Sequence, residues 1–481
     1  MANRVLTALV SVLFFAYGLF TLSPYASKAL LSGRAFSRAS EKEVNELKLA
    51  RDRFWNLSKG FCGLSHQFLT LRSGFKFHYL TSVVPGSATA ARSKKPLVIL
   101  IHGFPDSWAV WRHIVSSPAI HESSILVAVD LPGYGGTDGL DEYSATNVLE
   151  SLTEFIISLR EQYGIETPVD SKPLRRVIIV GHDWGCVLAM RLAAEAPQVA
   201  DRFILTNGPL PGLVVSNVRR LLSSAFKMFK TALNSPLRSR STFAKALKTV
   251  SPVFRQLRLS GYIFVMRLPI SFVRFLGYAG DYAFLKRVHT IAHGEEGLYT
   301  DRDAAESMAS TLGPSAEECK TTTPQGESYP LSVKKERVLG NFEHMARYYR
   351  EGATLGSWNK SLETIASLHS INRGSELRRS TTGKGLFDDG PDGVLKSPAT
   401  IIWGQKDTAL EPHLCLDGIS DYLDSNSQVI MLPRTGHFTP IERESRDALE
   451  LAIEWAAQGD SEDIGSVIAI SYPGAMVTAR K

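Results

Sequence analysis

Residues 181–185, G-H-D-W-G, place an aspartate between two glycines directly after an apolar run at 177–180. Such a run is typical of a buried β-strand. A G-x-nucleophile-x-G sequence after a strand indicates a sharp strand-to-helix turn, because the glycines allow close backbone approach and leave the central side chain exposed. The sequence therefore predicts a strand, a tight turn and a helix, with Asp183 presented for reaction. A carboxylate that attacks carbon forms an ester, so Asp183 indicates a substrate with an electrophilic carbon.

An acid and a histidine follow in the chain order that such a nucleophile requires. Asp407 comes after a buried apolar run at 399–404, and His437 comes after a second such run. Residues 414–423, between them, have helical spacing and predict one strand-helix-strand unit. Parallel strands joined in this way bring their C-terminal loops to the same edge of a sheet. We therefore expect Asp183, Asp407 and His437 to form a catalytic triad.

Strand-like and helical stretches alternate along much of the chain. Short apolar runs predict six parallel strands, at 97–101, 125–129, 177–180, 203–206, 400–403 and 429–432. Two earlier segments, 66–71 and 75–79, alternate between apolar and polar residues and predict antiparallel strands. This order predicts an α/β fold with a mostly parallel sheet flanked by helices.

Two further segments make the sequence similar to a known family. H-G-F-P stands at 102–105, and D-L-P-G-Y-G stands at 130–135. Together with G-H-D-W-G at 181–185, Asp407 and G-H at 436–437, these motifs make the chain resemble the epoxide hydrolase branch of the α/β-hydrolase superfamily. The resemblance implies an α/β-hydrolase fold with an inserted helical cap domain.

The resemblance also implies roles for backbone groups and for cap side chains. The backbone N–H groups of Phe104 and Trp184 would form an oxyanion hole. Two cap tyrosines would hydrogen-bond to the epoxide oxygen and protonate it. In A-R-Y-Y-R at 346–350, Tyr349 is the expected second tyrosine. Tyr348 is the alternative for that position and is also a candidate substrate-binding residue.

The position of the first cap tyrosine departs from the family pattern. Val265 occupies the place where related enzymes have tyrosine. Tyr262 lies one helical turn earlier and is the candidate substitute, with a purely structural role as the alternative. Cys186 is a second departure, because it replaces the usual second glycine after the nucleophile.

The motifs together predict an epoxide hydrolase that converts a small apolar epoxide and water to a vicinal diol through a covalent aspartyl ester. A haloalkane or haloacid dehalogenase uses the same triad and is one alternative. However, haloalkane dehalogenases usually have Asn at the position of Phe104, and fluoroacetate dehalogenases favour Arg at the position of Trp184. A non-catalytic, membrane-tethered binding protein is another. No cofactor or metal is expected, because the sequence has no glycine-rich phosphate loop, C-x-x-C pair or metal-ligand cluster.

The N-terminus predicts a membrane anchor. Residues 5–27 contain no charged side chain, and this length can span a bilayer. A cleaved signal peptide is the alternative, although the apolar stretch is long for one. Arg4 precedes the segment, whereas Lys28, Arg34 and Arg38 follow it. The positive-inside tendency then predicts a single-pass protein of an endoplasmic reticulum-type membrane, with its catalytic domain in the cytosol.

The cap sequence has an unusual charge distribution. Residues 203–280 contain no Asp or Glu, whereas twelve Lys or Arg residues lie between Arg219 and Arg274. Apolar residues are interleaved with these charges, which is typical of a surface that binds anionic membrane lipid. A merely solvated basic face is the alternative. No nucleic-acid recognition motif accompanies the charge, so nucleic acid is not an expected partner, and the sequence specifies no oligomeric state.

These observations predict the domain organisation. We expect a transmembrane anchor at 1–38, a linker helix at 39–60, the hydrolase core at 61–207 and 397–458, the helical cap at 208–396 and a C-terminal tail at 459–481. The linker helix opens with a capping box at Ser40 and Glu43. Within the cap, 294–333 and 372–396 are predicted to be irregular surface insertions, because they are rich in turn-forming and polar residues.

Overall fold

A nine-stranded sheet forms the centre of the molecule. The computed structural model describes residues 2–165, 175–234, 240–294, 297–336, 341–353, 355–372 and 391–481. The strands are β1 (Ser65–Thr70), β2 (Lys76–Thr81), β3 (Leu97–Ile101), β4 (Ile125–Val129), β5 (Val177–His182), β6 (Arg202–Thr206), β7 (Ala399–Gly404), β8 (Gln428–Leu432) and β9 (Met476–Arg480). Their order in the sheet is β1-β2-β4-β3-β5-β6-β7-β8-β9.

The six central strands, β3 to β8, run parallel, and the outer strands, β1 and β2 at one side of the sheet and β9 at the other, run antiparallel to their neighbours. The central strands are apolar throughout because both faces of the sheet are covered. In β3, for example, Leu97 and Ile99 contribute to the core on one face, and Val98 and Leu100 to the core on the other. The expected α/β fold with a mostly parallel sheet is confirmed.

Helices flank the sheet and form an insertion. The α-helices are α1 (Ala2–Leu31), α2 (Glu41–Trp55), α3 (Ala88–Arg92), α4 (Pro118–Ser123), α5 (Ala145–Gln162), α6 (Trp184–Glu195), α7 (Pro211–Asn234), α8 (Arg240–Leu259), α9 (Gly261–Met266), α10 (Ile270–Ala292), α11 (Asp301–Leu312), α12 (Leu331–Glu336), α13 (Phe342–Arg350), α14 (Leu362–Asn372), α15 (Pro412–Cys415), α16 (Arg443–Ala457) and α17 (Ile464–Ser471). Helices α5 and α6 pack on one face of the sheet, and α2 and α16 pack on the other. Helices α7 to α14 lie in the chain between β6 and β7, which are adjacent in the sheet. The described part of this insertion is therefore a helical cap.

One cap segment that the sequence predicts to be irregular is partly an ordered helix, so that prediction was wrong. Within 294–333, α11 begins after Thr300, whose side chain forms a capping box with Asp303. The helix packs against α2, where the indole of Trp55 donates to the carbonyl of Ala309 over 2.8 Å. Small alanine and serine side chains, which gave no strong apolar pattern in the sequence, allow this close packing.

The C-terminal region also differs from the sequence pattern. Residues 414–423, expected to form one helix, contain the end of α15 and a separate 3₁₀ turn at Ile419–Tyr422. Gly418 separates the two because its left-handed φ of 81° ends the helical path. The tail joins the core, since β9 pairs with β8, and Ile464 and Ile468 of α17 are buried. The predicted insertion at 372–396 lies mostly outside the described residues.

The N-terminal helix α1 is a candidate membrane anchor. Its segment Leu9–Leu31 is 23 residues long and apolar enough to cross a bilayer. Only 11% of the most apolar 18-residue stretch of this segment is buried in the protein. After it, α2 begins at the expected capping box, in which Ser40 N donates to the Glu43 carboxylate over 2.8 Å.

Candidate active site

Asp183 occupies a strained turn at the end of β5. Its backbone has φ 51° and ψ −115°, and α6 begins at the next residue. A positive φ is unfavourable for a residue with a Cβ, and such strain is often found at functional sites. Gly185 makes the turn possible, since a Cβ there would lie 2.1 Å from the carbonyl oxygen of Ile101. The local fold therefore presents the Asp183 carboxylate at the C-terminal edge of the sheet.

The structure brings His437 and Asp407 beside Asp183. The ring of His437 donates from Nδ1 to Asp407 Oδ2 over 2.9 Å, and its Nε2 lies 3.6 Å from Asp183 Oδ1. The three side chains follow β5, β7 and β8, at one edge of the parallel sheet. His437 and Asp407 are buried, whereas the side chain of Asp183 is 16% exposed. A nucleophile, a base and an orienting acid have this arrangement.

Asp407 is fixed by a network that includes a residue the sequence analysis missed. Its Oδ1 accepts from two backbone N–H groups of its own loop, at 2.7 and 2.8 Å. The amide of Asn207 donates to Oδ2 over 2.7 Å, and the hydroxyl of Thr439 donates to the Asn207 oxygen over 2.6 Å. These bonds fix the carboxylate that orients His437. The signal for Asn207 was its position directly after β6, which places it at the same sheet edge.

The charges around His437 keep its ring protonated. Burial would lower the pKa of this ring, but the Asp407 and Asp183 carboxylates outweigh burial and raise the pKa to about 10. At neutral pH the site therefore holds an imidazolium between two carboxylates. An ester on Asp183 would remove one negative charge and lower the pKa of His437 again. The ring could then lose its proton and act as a base at that stage.

The backbone N–H groups of Phe104 and Trp184 lie beside Asp183. Phe104 N donates to Asp183 Oδ2 over 2.7 Å. Trp184 N lies at the first turn of α6, where N–H groups have no partner within the helix. Gly103 allows this approach, because a Cβ there would lie 2.4 Å from Asp183 Oδ2 and 2.7 Å from Trp184 N. Donors placed here can stabilise negative charge that develops on an ester of Asp183.

The D-L-P-G-Y-G segment supports the turn that carries Phe104. The buried carboxylate of Asp130 accepts from Trp108 N and from Gly136 N, each over 2.8 Å. Leu131 N donates to His102 Nε2 over 3.0 Å. The H-G-F-P and D-L-P-G-Y-G segments are thus joined by a hydrogen bond, which helps to fix the position of Phe104 N.

Tyr262 on α9 and Tyr349 on α13 meet beside Asp183. Their ring centroids are 5.8 Å apart, and the two rings meet edge to face. The Phe104 ring lies 6.1 Å from Tyr262 and 5.7 Å from Tyr349. The indole of Trp184 lies 4.8 Å from Tyr349. The two tyrosines and these two aromatic residues form an apolar wall beside Asp183.

Both tyrosines are hydrogen-bond donors at neutral pH. Burial is the largest cause that raises the pKa of each phenol, and the nearby charge of Asp183 raises it further. Each hydroxyl therefore keeps its proton and can donate it in a hydrogen bond to a substrate atom. A donor in this position suits a substrate whose leaving group is an oxygen atom.

Tyr348 and Val265, which the sequence analysis also singled out, lie in the protein interior. The hydroxyl of Tyr348 donates to the carbonyl of Pro132 over 3.0 Å, and its ring packs against Tyr134. Val265 is 1% exposed and belongs to the main apolar core. The structure thus pairs Tyr349 with Tyr262 and directs the hydroxyl of Tyr348 to a backbone carbonyl.

A cavity of about 650 Å³ lies outside this site, and its lining includes Arg112, Arg443 and Arg446. No member of the triad or of the tyrosine pair lines it. We place the candidate site at Asp183 because the side chains of Asp407 and His437 lie beside it. The size of the cavity does not by itself indicate a reaction. Among the described residues, no group of three or more His, Cys, Asp or Glu side chains is arranged to hold a metal ion.

Comparison with known proteins assigns the class. The chain belongs to the alpha/beta hydrolase family, whose sequence profile matches residues 98–450. Within that family it is similar to epoxide hydrolases, as the motifs predicted. Epoxide hydrolase 3 of Xenopus tropicalis is 30% identical over 169 residues, which are 34% of this chain and 40% of the relative. Epoxide hydrolase 4 of Mus musculus is 28% identical over 164 residues, again 34% of this chain and 40% of the relative.

The match thus spans less than half of these relatives. Among solved structures, an epoxide hydrolase of Bacillus megaterium in complex with an inhibitor is 21% identical, with a TM-score of 0.47. The alignment covers 82% of this chain and 99% of the bacterial chain.

Proposed function

We propose that this protein hydrolyses a small apolar epoxide to a vicinal diol. One observation carries the proposal: a strained aspartate nucleophile and a pair of protonated tyrosines, Tyr262 and Tyr349, lie at the same site. The similarity to epoxide hydrolases supports the same reaction.

In the first step the Asp183 carboxylate attacks one carbon of the epoxide ring. A carbon–oxygen bond forms to Asp183, and the ring carbon–oxygen bond breaks. The released alkoxide takes a hydrogen bond and then a proton from Tyr262 or Tyr349, so the product of this step is a hydroxyalkyl ester. The apolar wall around the site favours an apolar substituent on the epoxide.

In the second step His437 takes a proton from a water molecule, which attacks the ester carbonyl of Asp183. The Phe104 and Trp184 N–H groups stabilise the tetrahedral oxyanion. The intermediate then collapses, and the diol leaves with a proton from His437. The proton left on the Asp183 carboxyl group passes to the tyrosine phenolate that ring opening produced, which restores both the carboxylate and the phenol. Asp407 orients the ring and compensates its positive charge during this step.

The tyrosine pair favours an epoxide over an alkyl halide. A halide ion leaves as a weak base and needs no proton, whereas an alkoxide is a strong base and does. Two phenols beside the nucleophile match the second requirement. The site also has the aromatic ring of Phe104, where a halide-binding asparagine would be expected in a haloalkane dehalogenase.

A product assay tests the proposal directly. Full-length protein in detergent is incubated with a panel of lipid and aryl epoxides and, separately, with a haloalkane panel. We expect diol from at least one apolar epoxide and no halide release. Halide release without diol would instead assign a dehalogenase, and no turnover of either panel would support a non-catalytic binding protein.

The tyrosine pair provides a sharper prediction. Tyr262→Phe and Tyr349→Phe should each slow ester formation by about tenfold or more, because one donor remains, and the double variant should lose about 10²- to 10⁴-fold. Rapid-quench mass spectrometry of the ester measures this step. Tyr348→Phe is the matched control, since its hydroxyl bonds to the carbonyl of Pro132, and it should form ester at the wild-type rate. Equal rates in all variants would contradict proton donation by the pair.

We also propose that α1 anchors the protein in an endoplasmic reticulum-type membrane, with the catalytic domain on the cytosolic side, and that the α7–α8 hairpin contacts anionic lipid. Large apolar side chains on the hairpin are exposed: Phe226 is 70%, Leu233 76% and Phe254 63% exposed. The basic residues of α7 and α8 lie between them in sequence. This combination supports insertion of apolar side chains below a layer of anionic headgroups.

Liposome flotation tests the lipid contact without the anchor. Protein that lacks residues 1–38 should float with vesicles that contain phosphatidylserine and stay behind with neutral vesicles. Replacing Lys227, Lys230, Lys245 and Lys248 with Gln should weaken binding by about 10²- to 10³-fold, at about 1 kcal/mol for each charge near the surface. Equal flotation with both lipids, or with both proteins, would contradict the proposal.

A further inference from the structure

We propose that the N-terminal helix α1 positions Tyr262 for ring opening, through the short helix α9 that lies between α1 and the active site. Helix α1 thus acts as a positioning element for the reaction as well as an anchor. This inference rests on the proposed function, because it assigns a role in the first step of that reaction.

The two helices approach each other through glycines. Gly18 of α1 is buried, and a Cβ there would lie 2.7 Å from the carbonyl oxygen of Phe264 in α9. Gly261, the first residue of α9, faces Thr21 of α1, and a Cβ there would lie 2.7 Å from the Thr21 methyl carbon. Each helix therefore needs a glycine at the contact. Such close packing fixes the position of α9 along α1.

Aromatic contacts extend this interface. The ring of Phe264 packs edge-on between Phe14, at 5.1 Å, and Tyr17, at 4.8 Å. The hydroxyl of Tyr17 donates to the carbonyl of Leu257, near the end of α8, over 2.9 Å. Helix α1 thus contacts both α9 and the helix before it. Leu22 continues the same face and is only 5% exposed.

The opposite face of α1 differs in character. Leu13 is 66% exposed and Phe20 is 71% exposed. One side of the helix is therefore suited to lipid, and the other packs on the cap through Gly18, Leu22 and the ring of Tyr17. A helix that served only as a tether would need no buried glycine and no hydrogen bond to the cap.

Helix α9 depends on its neighbours for its position. It has six residues, which is too short for a helix to be stable by itself. At its C-terminal end, Arg350 donates to the carbonyls of Met266 and Leu268, over 2.8 and 2.6 Å. Arg350 follows Tyr349 directly in α13. The helix that carries Tyr262 is thus held on one side by the helix that carries Tyr349, and on another by α1.

A displacement of α1 would therefore move Tyr262 relative to Tyr349 and Asp183. Tyr262 donates a proton only during ring opening, and the later hydrolysis of the ester depends on His437, Asp407 and backbone donors. The contribution of α1 is thus confined to the first half-reaction. A general loss of folding would affect both.

The test uses full-length protein in detergent and measures the two half-reactions separately. Gly18→Leu, which forces α1 away from the Phe264 carbonyl, should slow ester formation by at least tenfold and leave the rate of ester hydrolysis unchanged. Gly18→Ala makes a smaller change and should give a smaller effect of the same kind, which keeps the test valid if the leucine variant does not fold. Ala16→Leu is the matched control, because Ala16 is exposed on the same helix, and it should react at the wild-type rate.

A double-mutant cycle separates positioning from other effects. In a Tyr262→Phe background, Gly18→Leu should cause no further slowing of ester formation, because the hydroxyl that it displaces is already absent. Slowing of both half-reactions to the same extent, wild-type ester formation in Gly18→Leu, or full slowing in the Tyr262→Phe background would each overturn the inference while leaving the proposed function intact. Absence of any ester in wild-type protein would overturn both.

Discussion

Asp183→Ala is expected to abolish diol formation, with a loss on the order of 10⁴-fold or more. The alanine side chain has no oxygen that can attack carbon, and the ester, which is the only route to product in the proposed reaction, cannot form. The remaining carboxylate cannot replace it, because Asp407 is bound to His437, to the amide of Asn207 and to two backbone N–H groups of its own loop. Liquid chromatography with mass spectrometry can measure diol after long incubations, which makes a residual rate this low detectable.

The same variant distinguishes a nucleophile from a mere partner of His437. If Asp183 only stabilised the imidazolium, its removal would lower the pKa of His437 and leave a neutral base that could still activate water. Turnover would then persist and would rise with pH. Thermal unfolding is the control for folding, and a variant with wild-type stability and substantial diol formation would refute nucleophilic attack by Asp183.

The placement of Asp183, Asp407 and His437 at one site could be predicted because it depends on local patterns and on one rule of topology. A strand, a glycine-flanked turn and a helix are encoded within the dozen residues around Asp183. Asp407 and His437 each follow a parallel strand, and parallel strands deliver their C-terminal loops to one edge of the sheet. Neither inference needs information about which distant surfaces pack together.

The cap could be predicted only in outline, because its contacts join distant parts of the chain. Tyr349 and Tyr348 are neighbours in the sequence and point about 100° apart on a helix, so the choice between them depends on which side of α13 faces Asp183. The position of Tyr262 depends on α1, more than 200 residues earlier in the chain. The helix α11 was missed for the same reason, since its small residues become informative only when α2 is placed against them.

The geometry at His437 leads to the second prediction with a large effect. His437→Gln should leave ester formation nearly intact and slow ester hydrolysis by about 10²- to 10⁴-fold, because the general base is lost while the nucleophile remains. The protein should therefore accumulate as the ester. Intact mass spectrometry after incubation with an active epoxide should show a single covalent adduct on the protein. Peptide mapping should place this adduct on the peptide that contains Asp183.

The size of the added mass also distinguishes the two hydrolase alternatives. Ring opening adds every atom of the epoxide to Asp183, because the leaving oxygen stays attached to the substrate. Displacement of a halide adds the alkyl group and loses the halogen. An adduct equal to the whole epoxide, absent in the double variant Asp183→Ala/His437→Gln, would match attack by Asp183 on the ring. Rapid diol release by His437→Gln without any adduct would instead mean that water attacks the substrate directly, and the roles of both residues would have to be reassigned.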